Sequence, residues 1–300
     1  MTRLADLAEL VRAPAALSVP GDVLSGAAAA GALGRRTPAL AGASVLLYWA
    51  GMAANDWADR RLDAVERPER PIPSGRVRPS VALGVASGLT AAGLAVATAA
   101  GGRRAAAVAL PLAATIWGYD LRAKNTAAGP AVMAACRGLD VLLGASGGRV
   151  VRALPAALTV AAHTWTVTAL SRREVTGADR RLPGLTLTGT ALIALTTPAR
   201  PTPSVPGRAA RPGSGRAARL GDLVPAVLAA GYAARYGRAQ ARVLADPSAA
   251  RVRAAVGAGI TGLPALQGAL TARAGARLLG LAVAGAAPLG RRLARLISPT

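Results

Sequence analysis

Apolar stretches recur along the whole chain, separated by short runs rich in arginine. A helix that crosses a bilayer takes roughly 20 residues. Segments of that order lie at 14–33, 38–55, 80–100, 104–120, 127–146, 153–171, 183–198, 250–270 and 273–292. Lipid offers no partner to a free N–H or C=O, so repeated apolar spans must be helices. The pattern therefore predicts an all-α integral membrane protein, a bundle of about nine transmembrane helices forming one domain over 1–300. Segment 220–245 leaves two readings open. Its first half, Leu223 to Tyr232, is apolar, but Arg235, Arg238 and Arg242 then recur every three to four residues. That spacing suits a helix lying on the membrane, or a tenth span running out into the interface. Stretch 199–219, with its Pro, Gly, Ser and Arg, cannot form a packed core and reads as a flexible linker.

Composition refines this picture in three ways. Hydrophobic residues make up 52% of the chain with no Phe at all, so the spans are built from Ala, Gly, Val and Leu. Small residues let helix backbones approach closely, which predicts a tight bundle; a GC-rich coding bias produces the same composition, and Lys124 is the one lysine among 36 basic residues. The formal charge of +22 does not indicate nucleic acid, because the arginines are scattered over the turns between spans rather than gathered on one soluble face. A basic rim beside anionic headgroups explains them more simply. Met1 to Arg12 carries Asp6 and Glu9 and lacks an apolar core, so it is not read as a signal peptide. The lone Cys136 lies inside a span and is a small core residue.

Counting spans places loops. Segment 56–79 follows the second span, Tyr119 to Asn125 the fourth, and Ser171 to Arg181 the sixth, so all three share one face of the membrane. That face collects Asp56, Asp59 and Asp63 with Arg67 and Arg70, then Tyr119, Arg122 and Lys124, then Glu174 and Asp179. The aromatics Tyr48, Trp49, Trp57, Trp117, Tyr119 and Trp165 fall towards the same side, as a one-sided aromatic belt or as the wall of a cavity. Basic residues are nearly balanced between the two faces, and the acidic segments are placed on the cytosolic side of the plasma membrane.

The chemistry concentrates in Asn55-Asp56-Trp57-Ala58-Asp59-Arg60-Arg61-Leu62-Asp63 and the run Arg67-Pro68-Glu69-Arg70-Pro71-Ile72-Pro73-Ser74-Gly75 behind it. Three carboxylates at spacings of three and four share a helical face and repel unless a cation sits among them. Hard oxygen donors suit Mg²⁺, which binds through one or two carboxylates plus substrate phosphates. Acids at the mouth of an apolar helix are costly and therefore functional candidates.

These residues resemble the first motif of the UbiA superfamily of membrane prenyltransferases, NDxxDxxxD leading into an RPxRPIPSG-like run. The resemblance extends to Leu10-Val11-Arg12-Ala13-Pro14 before the first span, to Tyr119 with Lys124 after the fourth, and to Arg137-Gly138-Leu139-Asp140 in the fifth. It departs at the second acidic motif, where the family usually carries two aspartates four apart. Here Glu174 and Asp179 stand five apart behind Arg172 and Arg173, which resembles the branch found in small biosynthetic clusters of the Ebo type. The resemblance implies transfer of a polyprenyl group from an allylic diphosphate to an acceptor within the bilayer. Asp56, Asp59 and Asp63 would hold Mg²⁺, with Glu174 and Asp179 holding a second ion. Asn55, Arg67, Arg70, Arg122 and Arg137 would bind substrate, and Tyr119 and Lys124 would act on the diphosphate or the developing cation.

Each assignment has a plainer rival. Asp59 and Asp63 can pair with Arg60, Arg61 or Arg67 as a solvated network, and Lys124 can simply snorkel to the interface. Arg137 and Asp140, three apart on a helix, can neutralise each other, and His163 can be a hydrogen-bonded core residue. The altered second motif also allows a catalytically silent protein that binds or carries a prenylated lipid. Spans broken by Gly and Pro do not recur in corresponding halves, which argues against a transporter.

Overall fold

The structure is a computed structural model that describes residues 3–12, 18–197 and 223–286. Among these residues every regular element is helical. The helices are α1 (Leu4–Leu10), α2 (Pro20–Ala30), α3 (Thr37–Glu66), α4 (Pro79–Gly118), α5 (Gly129–Ala145), α6 (Val150–Ser171), α7 (Arg181–Thr196), α8 (Val224–Ala245), α9 (Ala249–Arg273) and α10 (Arg277–Ala286). A π-helical turn, Tyr119–Ala123, extends α4. Proline stands in the first turn of α2, α3, α4, α5 and α8, where its missing N–H costs nothing.

Several boundaries differ from the hydropathy reading. The acidic segment after residue 55 is not a loop: α3 runs on for three more turns to Glu66, and Pro68 lies just beyond its end. The 40-residue α4 contains the two expected spans 80–100 and 104–120, which fold back on each other at Gly102 (φ 63°, ψ −154°). The Nε1–H of Trp117 donates to Thr90 Oγ1 at 3.1 Å. A straight helix would hold residues 27 positions apart about 40 Å from one another, so the halves form an antiparallel pair. By length and composition Thr37–Glu66, Pro79–Ala123 and Val150–Ser171 qualify as membrane-crossing helices. Helices α2 and α5, of 11 and 17 residues, are shorter than their predicted spans, and α7 keeps the predicted 16 residues but starts two positions earlier. The linker 199–219 lies outside the described residues, as does the end of the expected span 273–292.

Contacts divide the chain into two compact units, with the boundary inside α6 between Thr164 and Trp165. In the first unit, Leu40, Ala43 and Leu47 of α3 pack on Ala97, Ala105, Ala109 and Leu112 of α4. Helices α2 and α5 cross at glycines: a Cβ on Gly26 would strike the Val141 carbonyl, and one on Gly144 would strike the Val23 carbonyl. This is the close approach that a small-residue composition predicts. In the second unit, the described part of segment 220–245 forms one continuous helix, α8, from Val224 to Ala245. It buries Tyr232, Tyr236, Gln240 and Val243 along one face, and Tyr236 shares a hydrogen bond with Thr166. Exposed leucines and valines (Val151, Leu154 and Leu158 on α6, Leu185, Leu192 and Leu195 on α7) lie at helical spacing, as a lipid-facing surface requires.

Candidate active site

The site grows from the last four turns of α3. Spacings of three, four and seven place Asp56, Asp59 and Asp63 along one side of that helix. Asp56 and Asp63 are 3% and 2% exposed, so each carboxylate requires a cationic or hydrogen-bonding partner. The segment after α3 supplies one. Ile72 inserts into a core formed by Leu10, Ala53, Ala54 and Val77, and Gly75 (φ 76°) lets the chain turn back into α4. That anchored turn aims Arg70 at α3, where Nη1 lies 2.7 Å from Asp63 Oδ2 and 3.4 Å from Asp56 Oδ1. Arg67 is half exposed and lies 4.0 Å from Asp63.

A second cation comes from the N-terminal segment. Arg76 grips α1 through Asp6 (2.9 Å) and Glu9 (2.6 and 3.0 Å). The Arg3 amide, and then Arg76, hold the Asp6 carboxyl below the usual carboxylate range, while Glu9 and Asp6 raise the Arg76 guanidinium above its ordinary value. Arg12, just past α1 at φ 45°, donates to Asp56 Oδ1 at 2.9 Å. Arg12 was legible in sequence only as part of the approach to the first span, and the fold makes it a member of the site.

The π-helical turn closes the third side. Lys124 Nζ lies 2.6 Å from Asp59 Oδ1, and Asn55 Nδ2 donates to Asp120 Oδ1 at 3.1 Å. The structure thus brings together the first two of the three polar segments placed on one face by span counting. Asp120 escaped the sequence reading, although its signal was present: an acid at the end of an apolar span, beside Tyr119 and four residues from Lys124. Arg122 is exposed and does not line the cavity described next.

Beneath this charged mouth lies a cavity of about 210 Å³. Tyr48, Gly51, Met52 and Asn55 of α3 form one wall, and Ile116, Tyr119 and Asp120 form another. Met133 and Cys136 of α5 close it, and Arg12 sits at the rim. Gly51 lets Ile116 lie close against α3, since a Cβ there would lie 2.6 Å from Ile116 Cγ2. Of the six aromatics on this side, Tyr48 and Tyr119 line the cavity. Trp57 instead stacks on Arg60 at 4.7 Å, Trp117 bonds Thr90, and Trp165 is 38% exposed.

Arg137 does not reach the mouth. Its Nε lies 2.8 Å from Asp22 Oδ2 of α2, its Nη2 donates to the Ser18 carbonyl, and its guanidinium lies 5.4 Å from the centre of the Tyr48 ring. Its ion-pair partner is thus Asp22 rather than Asp140, whose carboxylate accepts from Ser44 Oγ. His163 is buried, as a core histidine would be. In the second unit, burial raises the Glu174 carboxyl against the opposing pull of Arg253, and its backbone carbonyl accepts from Arg253. Asp179 is exposed and accepts the Leu182 amide at the start of α7, a helix-capping contact.

Among the described residues no three of His, Cys, Asp and Glu are gathered into a preassembled metal cluster. The donor chemistry nevertheless fits Mg²⁺. The mouth offers oxygens from Asp56, Asp59, Asp63, Asp120 and Asn55, and this ion asks for only one or two carboxylates alongside phosphate oxygens.

Comparison with known proteins bears on the fold and the family. A digeranylgeranylglyceryl phosphate synthase of Methanothrix thermoacetophila is 44% identical over 80 residues, 26% of this chain and 30% of that protein. The bacteriochlorophyll synthase 33 kDa chain of Cereibacter sphaeroides is 46% identical over 54 residues, 18% of each chain. These alignments therefore span less than a third of the curated relatives. Two solved structures share the fold at low identity. One, concerned with digeranylgeranylglyceryl phosphate synthase in membranes, has a TM-score of 0.66 at 16% identity and covers 91% of this chain and 99% of its own. An apo UbiA homolog from Aeropyrum pernix K1 has a TM-score of 0.57 at 17% identity, covering 82% and 96%. Residues 21–190, which contain both the carboxylate face of α3 and the arginine turn laid over it, match the UbiA prenyltransferase family, and the chain belongs to that family.

Proposed function

We propose that this protein is a membrane prenyltransferase that moves a polyprenyl group from an allylic diphosphate to an acceptor dissolved in or held at the bilayer. The observation that carries the reading is the stacking of a charged mouth on an apolar cavity. Carboxylates and cations lie within hydrogen-bonding distance of each other directly above walls of Met52, Ile116, Met133 and Tyr48. An amphiphile with a diphosphate head and a hydrocarbon tail has that same division. At about 210 Å³ the cavity is smaller than the roughly 300–1,000 Å³ of ordinary ligand pockets, so it suits the allylic end of a chain whose remainder runs outward.

In the resting site Arg12 and Arg70 neutralise Asp56 and Asp63, and Lys124 neutralises Asp59. With a diphosphate in place the guanidinium forks and the ammonium turn to phosphate oxygens, and Asp56, Asp59 and Asp63, with Asn55, would hold Mg²⁺. Bound there, Mg²⁺ supplies charge stabilisation to the departing diphosphate. Arg70 and Lys124 stabilise the same growing negative charge from fixed positions. Tyr48 and Tyr119 present π faces to the allylic carbon as it becomes cationic. The apolar walls exclude water that would otherwise capture it. Arg67 assists at the rim and Arg122 meets the donor from outside it. Arg137 shapes substrate binding through the Tyr48 ring. Glu174 and Asp179 serve a second ion, and the acidic side faces the cytosol across the plasma membrane. The names of the archaeal relatives point to products carrying geranylgeranyl groups, so geranylgeranyl diphosphate is the first donor to supply.

The test is diphosphate release by purified protein in detergent, given geranyl, farnesyl or geranylgeranyl diphosphate with Mg²⁺, and with cell lysate as the source of acceptor. Release that requires Mg²⁺ and disappears in Asp59→Asn supports the enzyme. Mg²⁺-dependent donor binding without release from any donor would replace it with a prenyl-lipid carrier.

A further inference from the structure

The arginine stripe of α8 plays no part in the site above. The fold gives it a definite setting, a surface groove of about 620 Å³ between α8 and α9. Arg235, Arg238 and Arg242 line it from α8, Arg251 lines it from α9, and Gly231 and Ala258 form part of its floor. The opposite face of α8 is committed to packing through Tyr232, Tyr236, Gln240 and Val243, which fixes the orientation of the stripe. Little negative charge answers these four cations. Arg251 lies 3.5 Å from Asp246, and Arg235 donates to Thr261 Oγ1. Arg238 and Arg242 point into the groove without an acidic partner among the described residues.

The groove is also graded along its length. Arg242 and Arg251 stand at the end nearest the turn joining α8 to α9, with Arg238 one helical turn further in. Towards the other end the lining passes to Gly231 and Ala258, and the same face of α8 carries exposed Val227 (65%) one turn beyond Gly231. Arginines at one end and small and apolar side chains at the other match a molecule with a phosphate head and hydrocarbon chains. Guanidinium forks bind phosphate oxygens bidentately, and basic clusters at a membrane surface recruit anionic lipid. We propose that the α8–α9 groove binds an anionic phospholipid, its phosphate held by Arg238, Arg242 and Arg251 and its chains laid along Gly231 and Ala258 towards Val227. A fixed lipid here would also explain why α8 keeps a charged stripe.

The experiment titrates phosphatidylglycerol, phosphatidylcholine and inorganic phosphate separately into the purified full-length protein in a neutral detergent. Bound lipid is counted by native mass spectrometry and thermal stability is followed in parallel. Phosphatidylglycerol is expected to bind saturably with a rise in melting temperature, and phosphatidylcholine to bind about tenfold more weakly. The double variant Arg238→Gln/Arg242→Gln is expected to weaken phosphatidylglycerol binding by at least about tenfold, since bonds to charged groups are lost. Arg103→Gln/Arg104→Gln, which removes the same charge at the α4 hairpin of the first unit, is expected to leave it unchanged. Equal binding of the two lipids, or equal loss in both double variants, overturns the proposal in favour of diffuse electrostatic attraction. Displacement of phosphatidylglycerol by millimolar inorganic phosphate overturns it in favour of a soluble anion. Because the lipid comparison is made on the unaltered protein, it stands whether or not a variant folds.

Discussion

Arg70 is the residue whose removal most directly tests the account of the charged mouth. It bridges two buried carboxylates, at 2.7 Å to Asp63 and 3.4 Å to Asp56, with only 18% of its own side chain exposed. Deleting one member of a fully buried pair costs about 3–5 kcal/mol, because it strands a charge rather than because the pair is strongly attractive. Here Asp56 keeps Arg12 at 2.9 Å, and Asp63 keeps only the half-exposed Arg67 at 4.0 Å. Compensation is therefore partial, and Arg70→Met is expected to lose about 2–3 kcal/mol. For a chain of this size that corresponds to roughly 5–10 °C in melting temperature. Cys136, 1% exposed and the sole cysteine, is a built-in reporter: a thiol-reactive dye reaches it only as the bundle opens on heating in detergent. If stranded charge is the cause, Asp63→Asn added to Arg70→Met should recover about 1 kcal/mol or more of the loss, as coupled neighbours do. An Arg70→Met protein as stable as the parent, or a double variant whose effects simply add, would refute the reasoning.

Four further outcomes follow from the same geometry. Gly51→Ala puts a methyl 2.6 Å from Ile116 Cγ2 and is expected to cost about 1–3 kcal/mol and to weaken donor binding, with both recovered by Ile116→Leu, which has no Cγ2. Gly144→Ala meets the Val23 backbone, which cannot rotate aside, so its melting temperature should fall further than that of Gly51→Ala, and no side-chain substitution on α2 should restore it. Arg76→Ala removes the bonds that tie Asp6 and Glu9 of α1 to the turn after α3, together with the one to the Glu69 carbonyl. Limited trypsin digestion should then remove the N-terminal segment faster. Donor affinity should fall as in Arg12→Ala, because Arg76 acts by positioning Arg12. Asp120→Asn, which keeps the shape of the cavity wall, is expected to lower diphosphate release without lowering the melting temperature. A parallel loss of both would make Asp120 a purely structural partner of Asn55.

Much of this protein is decided locally. A spacing of three and four puts Asp56, Asp59 and Asp63 on one side of any helix that contains them, whatever the rest of the chain does. Apolar runs bounded by arginine force helices because lipid leaves no alternative, and the composition of those runs forecast the glycine crossings of α2 and α5. The motif behind α3 was readable too, since its prolines and glycine fix a turn by their own conformational limits.

What the chain could not announce is which charges meet. Arg137 and Asp140 are neighbours by helical arithmetic, yet the crossing of α2 over α5 gives Arg137 the carboxylate of Asp22, more than a hundred residues earlier. Arg12 and Asp120 become members of the site only because α1 is clamped by Arg76 and α4 turns back on itself at Gly102. The stripe on α8 was ambiguous for the same reason: its spacing fixed a face, and only the tyrosines buried behind it decided which way that face points. Periodicity is a property of neighbours along a helix. The pairing of buried charges depends on which helices cross and at what distance, a distance set here by whether a glycine stands at the contact.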